Sequence, residues 1–203
     1  MLNEAADSII SNCTALILAG GESRRMGQDK ANLLLGEYTL LQRVTSSLRP
    51  LFVDMLVSVR HPRTDCDLPQ ICDDTDHAGP LAGLLAGMTQ TPTPWLFVVA
   101  CDMPFISPSL VQALSAYRHE AWDAVVPVVD GHPQPLAAFY ATRLVNKVRE
   151  NLNGSGKHSL RALLTQCAVC YVQESELRAA DPVRHSFFDL DTPQDVALAI
   201  GNL

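Results

Sequence analysis

The sequence lacks any apolar run long enough to span a membrane. Its longest apolar stretches, residues 14–19 and 94–101, are far shorter than the roughly 20 residues that a membrane-spanning helix needs. Positive charge is also scarce, because 15 lysines and arginines stand against 22 aspartates and glutamates, a formal net charge of −7. Such an acidic chain is a poor general ligand for nucleic acids or anionic lipids. We therefore expect no nucleic-acid and no membrane partner, and any anionic ligand must meet a local cluster of cations.

Cysteine is too sparse for a disulfide scaffold, with six residues in 203. Cys167 and Cys170 have a spacing found in metal and redox sites, but they lie in an apolar run, residues 167–172, that is typical of a strand, where residues three apart point to opposite faces. We therefore expect thiols, the usual state in a reducing compartment. The N-terminal residues carry Glu4 and Asp7 and no positive segment of the secretory type, which predicts a cytoplasmic protein.

The pattern of apolar residues predicts an α/β fold. Short apolar runs bounded by glycine, proline and aspartate alternate with helical patterns, as in βαβ units. We expect one domain over residues 1–203, with residues 1–12 as a flexible extension. Its fold would be Rossmann-like, with a single doubly wound, mostly parallel sheet flanked by helices. The predicted strands are 14–18, 55–59, 95–100, 123–128, 136–140 and 168–173, and the predicted helices are 40–48, 81–88, 108–117, 142–152, 159–165 and 193–200.

The loop after the first predicted strand concentrates glycine and positive charge. Residues 20–30 hold three glycines and three cations, although neither the dinucleotide-binding nor the nucleotide-hydrolase glycine spacing is present. Such a loop suits a triphosphate, because glycines let backbone N–H groups approach an anion and Arg and Lys neutralise it. The alternative is a solvated loop in which Arg24 and Lys30 pair with Glu22 and Asp29.

Acidic residues follow two other predicted strands. Asp102 comes directly after the apolar run 95–100, where a carboxylate beside a polyphosphate would serve as a Mg²⁺ ligand. The alternative is a turn-forming aspartate before Pro104. Near the C-terminus, Asp189 and Asp191 share one face of a short extended segment, so Asp191 could share the metal with Asp102 or could cap the following helix.

A second glycine-containing passage follows Asp73 and Asp74. Its backbone, residues 79–83, could accept a ribose or a base, or could simply allow close helix packing.

Seven short motifs occur in a fixed order along the chain, namely Leu18-Ala19-Gly20-Gly21, Arg25-Met26-Gly27, Asp29-Lys30, Gly79-Pro80-Leu81-Ala82-Gly83, Cys101-Asp102-Met103-Pro104, Gln134-Pro135-Leu136 and Asp191-Thr192-Pro193. In this order they resemble the molybdenum cofactor guanylyltransferase (MobA) family of the nucleotidyltransferase superfamily, over about residues 14 to 200. The opening motif is shared across the superfamily, whereas the glycine passage points to the guanylyl branch rather than to its cytidylyl relatives.

The resemblance implies roles for particular residues. Arg25, Lys30 and Asp102 would be catalytic, and Asp102 with Asp191 would hold Mg²⁺. Some family members carry asparagine where Ser58 stands, and many carry two amides where this chain has Asp189 and Asp191. The implied nucleotide contacts are Leu18, Ala19, Gly20, Gly21, Lys30, Ser58, Asp74, Gly79 and Asp102, and the implied contacts to the pterin's phosphate are Lys157, His158 and Ser159.

The reaction that the resemblance implies is transfer of GMP from GTP to the terminal phosphate of molybdopterin, with release of pyrophosphate. GTP and molybdopterin would be the substrates, and transient contact with molybdenum cofactor biosynthesis proteins or apo-molybdoenzymes is compatible with this role. One alternative is a cytidylyltransferase that acts on molybdopterin or another phosphorylated acceptor. Another alternative is a non-catalytic carrier of GTP or of the cofactor.

Overall fold

The computed structural model describes residues 9–20, 29–72, 79–154, 158–190, 195 and 199. The helices in these residues are α1 (Leu40–Leu48), α2 (Pro80–Gln90), α3 (Pro108–Ser115), α4 (Val145–Asn153), α5 (Leu160–Leu164) and α6 (Glu174–Leu177). Single 3-10 turns cover Lys30–Asn32, Thr142–Leu144 and His185–Phe187. The strands are β1 (Cys13–Leu18), β2 (Leu34–Leu35), β3 (Tyr38–Thr39), β4 (Asp54–Val59), β5 (Gln70–Cys72), β6 (Trp95–Ala100), β7 (Ala124–Val129), β8 (His132–Pro133), β9 (Ala137–Ala141) and β10 (Val169–Gln173).

The described residues form one main sheet in the order β10-β7-β9-β6-β1-β4-β5, with β8 paired to β7, and a separate hairpin of β2 and β3. Along this order β9 is antiparallel to both neighbours, and the other pairings are parallel. The predicted mostly parallel α/β sheet is therefore confirmed. The predicted strands agree with six of these to within two residues at each end, whereas β2, β3, β5 and β8 were not predicted.

The central strand β1 is buried on both faces because its side chains alternate between two cores. Ala15 and Ile17 belong to the core that contains α1, α3 and α6. Leu16 belongs to the opposite core, which contains α2, α4 and α5. A slip of one residue would move each side chain to the other core and would take Leu16 away from Gly87 of α2.

Local sequence features explain where helix α1 begins and how closely helix α2 packs on the sheet. Thr39 caps α1 and forms a capping box with Gln42, which satisfies backbone N–H groups that the first turn leaves unpaired. Helix α2 lies close on β1 at Gly87, where a Cβ atom would come within 2.5 Å of the Leu16 Cδ2 atom. The absence of a side chain at Gly87 therefore allows the close approach of α2 to the sheet.

A small third core lies beside the hairpin of β2 and β3. Leu35 and Leu40 pack there against Leu190 and Ala199, with Phe105 at the edge. The predicted helix over 193–200 falls mostly outside the described residues, but Asp195 and Ala199 are helical. This core ties the C-terminal segment to the region that follows the first glycine loop.

The described part of the expected N-terminal extension is attached to the domain. The Ile10 side chain is buried, and its backbone N–H donates to the Leu51 carbonyl oxygen at 2.8 Å. Residues 9–12 are therefore not free of the core, and residues 1–8 lie outside the described residues.

The two cysteines with motif-like spacing point away from each other. Cys167 packs against the core that contains α4, and Cys170 packs against the opposite core. Cys170 lies in β10, but Cys167 lies in a bend two residues before it, so the prediction that one strand carries both cysteines is wrong for Cys167. Both cysteines are free. Among the described residues, no helix has the length and the apolar character that crossing a membrane requires.

Candidate functional site

The candidate site lies where the order of strands reverses along the sheet. The chain passes from β1 to β4 on one side and later returns to β6 on the other, so β1 has a parallel neighbour on each side. Ligands of open α/β sheets bind at such switch points, outside the carboxyl ends of the strands. The Ala19 N–H donates to the Ser58 carbonyl at 2.8 Å, and the Cys101 N–H donates to the Leu18 carbonyl at 3.0 Å. Backbone hydrogen bonds therefore fix the floor of the site.

A cleft opens above this floor and collects residues from the three strand ends, the Lys30–Asn32 turn and the start of α2. Of the residues implied to bind nucleotide, the described ones all line it, namely Leu18, Ala19, Gly20, Lys30, Ser58, Gly79 and Asp102. Its other described lining residues are Asp29, Pro80, Gly83, Ala100, Cys101 and Leu136. The described lining contains no histidine.

Lys30 and Asp102 form an ion pair in the cleft. The Lys30 Nζ atom donates to the Asp102 Oδ2 atom at 2.8 Å, and the two side chains are 17% and 20% exposed. Asp29 caps the turn that begins at Lys30, because its Oδ1 atom accepts the Ala31 N–H at 3.0 Å. The Asp102 carbonyl accepts the Leu190 N–H at 3.0 Å, so a hydrogen bond from the C-terminal segment holds the backbone of Asp102. The paired charges are therefore fixed from several elements.

Gly79 has a backbone conformation that glycine alone adopts readily. Its φ is +103° and its ψ is −179°, and it forms the N-cap of α2 before Pro80 at the first helical position. Apart from its chain neighbours, a Cβ atom built on Gly79 would have no atom of the described residues within 4 Å. The cleft is therefore open beside this residue, and a ligand can come close to its backbone.

Several predicted site residues fall on segments outside the described residues, namely Gly21, Arg25, Asp74, Lys157 and Asp191. Their roles stay predictions. Gly20 and Asp29, which flank residues 21–28, both line the cleft, and so does Gly79, which follows residues 73–78.

His158 and Ser159 are explained by local structure and are not among the described residues that line the cleft. Ser159 is the N-cap of α5 and accepts the Ala162 N–H at 3.2 Å. The His158 Nε2 atom lies 2.7 Å from the Gly154 carbonyl oxygen. Their implied contact with a pterin stays a prediction.

The acidic side chains in the cleft suit a metal that also binds phosphate. In the part of the chain that the structure describes, no group of three or more His, Cys, Asp or Glu side chains could hold a metal ion by itself. Both carboxylates have partners: Asp102 accepts from Lys30, which lines the same cleft, whereas Asp29 accepts from the Ala31 N–H and from Arg63, which is not among the described lining residues. Mg²⁺ is usually bound by one or two carboxylates together with substrate phosphates, so a single aspartate fits this kind of site.

The sequence interpretation assigned no role to two residues that line the cleft and to one described residue outside the lining. Leu136 lines it and its carbonyl accepts the Ala100 N–H at 3.2 Å, although its motif had no assigned role. Burial raises the pKa of the Cys101 thiol to about 12, which keeps this lining residue unreactive. Arg63 donates to Asp29 from the loop after β4. Its place after a parallel strand, at the ligand edge, is the signal that could have found it.

Comparison with known proteins shows which family this chain belongs to. A model of the MobA-like NTP transferase domain matches residues 15–170. The chain belongs to this family. The matched range includes the ends of β1, β4 and β6 and thus the described lining of the cleft.

Individual relatives within the MobA-like family cover most of this chain. A probable molybdenum cofactor guanylyltransferase of Pelotomaculum thermopropionicum is 35% identical over 92% of the chain and 91% of its own length. A molybdenum cofactor guanylyltransferase of Desulfosudis oleivorans is 30% identical over 92% and 93%.

Solved structures agree with the MobA-like assignment. Molybdopterin-guanine dinucleotide biosynthesis protein A of Archaeoglobus fulgidus is 26% identical and superposes with a TM-score of 0.81 over 93% of this chain and 97% of its own. A 2-C-methyl-D-erythritol 4-phosphate cytidylyltransferase of Thermus thermophilus, 20% identical with a TM-score of 0.68 over 93% and 97%, shares the fold.

Proposed function

We propose that the protein is a molybdenum cofactor guanylyltransferase, which transfers GMP from GTP to the terminal phosphate of molybdopterin. The observation that carries the proposal is the Lys30–Asp102 pair in a cleft at the switch point of a MobA-like domain. Relatives named for this activity are 30–35% identical over about nine tenths of the chain.

The transfer exchanges one phosphoanhydride bond for another. An oxygen of the molybdopterin phosphate forms a bond to the α-phosphorus of GTP, and the bond from that phosphorus to the bridging oxygen of the β-phosphate breaks. The bonding electrons leave with pyrophosphate. Because a phosphate monoester loses its second proton near a pKa of ~6, the nucleophile is already ionised at neutral pH. The reaction therefore needs no general base, which agrees with a described cleft lining that contains no histidine.

The chain's own contribution is to bring two anions together and to stabilise the leaving group. Lys30 presents an ammonium group from a capped turn, and Arg25 in the glycine loop would add a second cation. The backbone of Leu18, Ala19, Gly20 and Gly21, the Ser58 hydroxyl and the open edge at Gly79 would contact the nucleoside, with Asp74 beside it.

Mg²⁺ is the divalent metal that we propose for this site. Asp102 would hold it together with the triphosphate, and Asp191 would be a further ligand, since Leu190 is already tied to the backbone of Asp102. When bound, the ion supplies charge neutralisation for the departing pyrophosphate.

The acceptor would approach from the side of the glycine-rich segment before α5. We propose Lys157 as the contact for the pterin's phosphate, with His158 beside it and Ser159 fixing the start of α5 through its capping hydrogen bond. A cytoplasmic protein that hands its product to an apo-molybdoenzyme fits this reaction.

The test is nucleotide transfer to molybdopterin with Mg²⁺ and each of GTP, CTP, ATP and UTP, followed by identification of the nucleotide attached to the pterin. Reactions without acceptor measure plain hydrolysis. Attachment of GMP from GTP alone supports the proposal. Attachment of CMP would assign the chain to the cytidylyl branch, and no product with any nucleotide would overturn the proposal.

A further inference from the structure

Arg63, in the loop between β4 and β5, bridges both ends of the turn that carries Lys30. Its guanidinium donates hydrogen bonds to the Asp29 carboxylate and to the Asn32 side-chain oxygen. It also donates to the Asp65 carboxylate at 2.8 Å. Asp29 is the N-cap of the Lys30–Asn32 turn, and Asn32 is its last residue. The guanidinium therefore spans the turn on which the cleft's described cation stands.

The backbone of Arg63 is itself fixed to the main sheet. Its N–H donates to the Gln70 Oε1 atom at 2.7 Å, and its carbonyl accepts the Gln70 Nε2 group at 2.7 Å. Gln70 begins β5 and pairs in parallel register with Val57 of β4. The side-chain amide of Gln70 therefore hydrogen-bonds both backbone polar groups of Arg63 and links the base of the Arg63 side chain to β5.

Arg63 is enclosed far more than the arginines of the other ion pairs among the described residues. Its side chain is 8% exposed, whereas those of Arg49, Arg143 and Arg184 are about half exposed. Its Nε atom is buried without a hydrogen-bond partner in the described structure. Desolvating a cation and a buried donor costs free energy, so such a pair is weak evidence for stability and is better explained by a need for fixed geometry.

The Lys30 turn needs external support to keep a fixed position. It is a single 3-10 turn of three residues, and such turns have poor hydrogen-bond geometry. Lysine also has a flexible stem that ends in a point charge, so its position depends on the backbone that carries it. The Asp29 carboxylate links the turn to Arg63, because its Oδ1 atom accepts the Ala31 N–H and its Oδ2 atom accepts a hydrogen bond from the Arg63 guanidinium.

We propose that Arg63 is a positioning residue for nucleotide binding, which acts through Asp29 and Asn32 to hold the Lys30 ammonium at Asp102. The proposal rests on the proposed function for its ligand, GTP, but not for the geometry that it describes. Arg63 is not among the described residues that line the cleft, so its effect on a nucleotide is exerted through Lys30.

The first test measures the position of Lys30 without any ligand. The acylation rate of each lysine by an N-hydroxysuccinimide ester is followed by mass spectrometry in wild type, Arg63→Met and Arg63→Lys. We expect Lys30 to react several times faster in Arg63→Met and at an intermediate rate in Arg63→Lys, while Lys147 keeps its rate. Arg49→Met is the matched control, because Arg49 pairs with Asp67 of the same loop and leaves the Lys30 turn untouched.

The second test measures binding of a fluorescent GTP analogue. Arg63→Met should weaken binding by up to about 100-fold, as expected when a charge loses its alignment, and Arg49→Met should leave it unchanged. In a Lys30→Ala background the same Arg63→Met change should have no further effect, because the group that it positions is gone.

The outcomes separate this proposal from the proposed function. Unchanged Lys30 acylation in Arg63→Met, or an equal loss of GTP binding with and without Lys30, would overturn the positioning role. Faster acylation of Lys30 in Arg63→Met, together with a wild-type protein that binds no GTP, would support the positioning of Lys30 by Arg63 and overturn the proposed function. A lower melting temperature with faster acylation of Lys147 as well would assign Arg63 to general stability and would also overturn the proposal.

Discussion

The Lys30 ammonium and the Asp102 carboxylate lie 2.8 Å apart, although 72 positions separate them in the chain. Adjacent parallel strands explain the meeting, because Asp102 lies two residues after the end of β6 and Lys30 follows the loop that leaves its neighbour β1. Each charge is balanced by the other in the free protein. In the proposed reaction Lys30 would contact phosphate oxygens of the nucleotide, and Asp102 would hold the metal.

Replacement of Lys30 by alanine should weaken GTP binding by about 10- to 100-fold, the worth of one charge-assisted hydrogen bond. Lys147→Ala is the control, because Lys147 donates to the Gln166 carbonyl at 2.7 Å and is not part of the cleft. Equilibrium binding of GTP measures both variants. Equal affinity in Lys30→Ala and wild type would remove Lys30 from the triphosphate site.

Replacement of Gly79 by alanine should reduce both stability and nucleotide affinity. The new Cβ atom meets nothing within 4 Å, so the cost of about 1–3 kcal/mol arises from the positive φ of +103°. Gly131→Ala is the matched control, since Gly131 has a φ of +74° and equally open space but lies away from the cleft. Thermal unfolding and GTP titration should show instability in both variants and weaker GTP binding only in Gly79→Ala. Equal GTP affinity in both would contradict the role of Gly79.

Two buried thiols should make stability fall at alkaline pH. Burial raises the pKa of Cys13 and of Cys101 from 9.0 to about 12. As the pH rises above 9, the unfolded chain loses these protons first, so stability that is fully present below pH 9 is lost towards pH 12. In Cys13→Ala the slope of unfolding free energy against pH should be shallower by up to about 1.4 kcal/mol per pH unit. Cys72→Ala, with an exposed thiol, should keep the wild-type slope, and a wild-type slope in Cys13→Ala would contradict the assignment.

The long elements could be predicted because burial imposes a period on them. The run that became β6 is apolar throughout, and the face of Leu40, Leu41, Val44 and Leu48 marked α1 to the residue. Strands of two or three residues, such as β2, β3, β5 and β8, are too short for any period to appear. The antiparallel direction of β9 depends on tertiary pairing, which no pattern within the strand itself records.

The site could be predicted in part because phosphate chemistry selects recognisable residue types. Lys30, Asp102 and Gly79 were found from charge, glycine and their places after strands. The capping role of Ser159 accounts for a residue that its motif had linked to the pterin. The place of Arg63 after a parallel strand could have drawn attention to it, but its role could not be assigned, because its partners, Asp29 and Asn32, are 34 and 31 positions away and meet it only in the folded chain.

The most direct test of the account is single-turnover transfer with GTP labelled in the α-phosphate, using wild type, Asp102→Asn and Asp67→Asn. Asparagine keeps the size of Asp102 and an acceptor for Lys30 but removes the negative charge that a metal requires. Asp67 is an exposed acid paired with Arg49 and serves as the control for loss of one charge. We predict that label reaches molybdopterin at equal rates in wild type and Asp67→Asn and at least about 10²-fold more slowly in Asp102→Asn, with an unchanged melting temperature. Transfer by Asp102→Asn at the rate of the control would contradict the account.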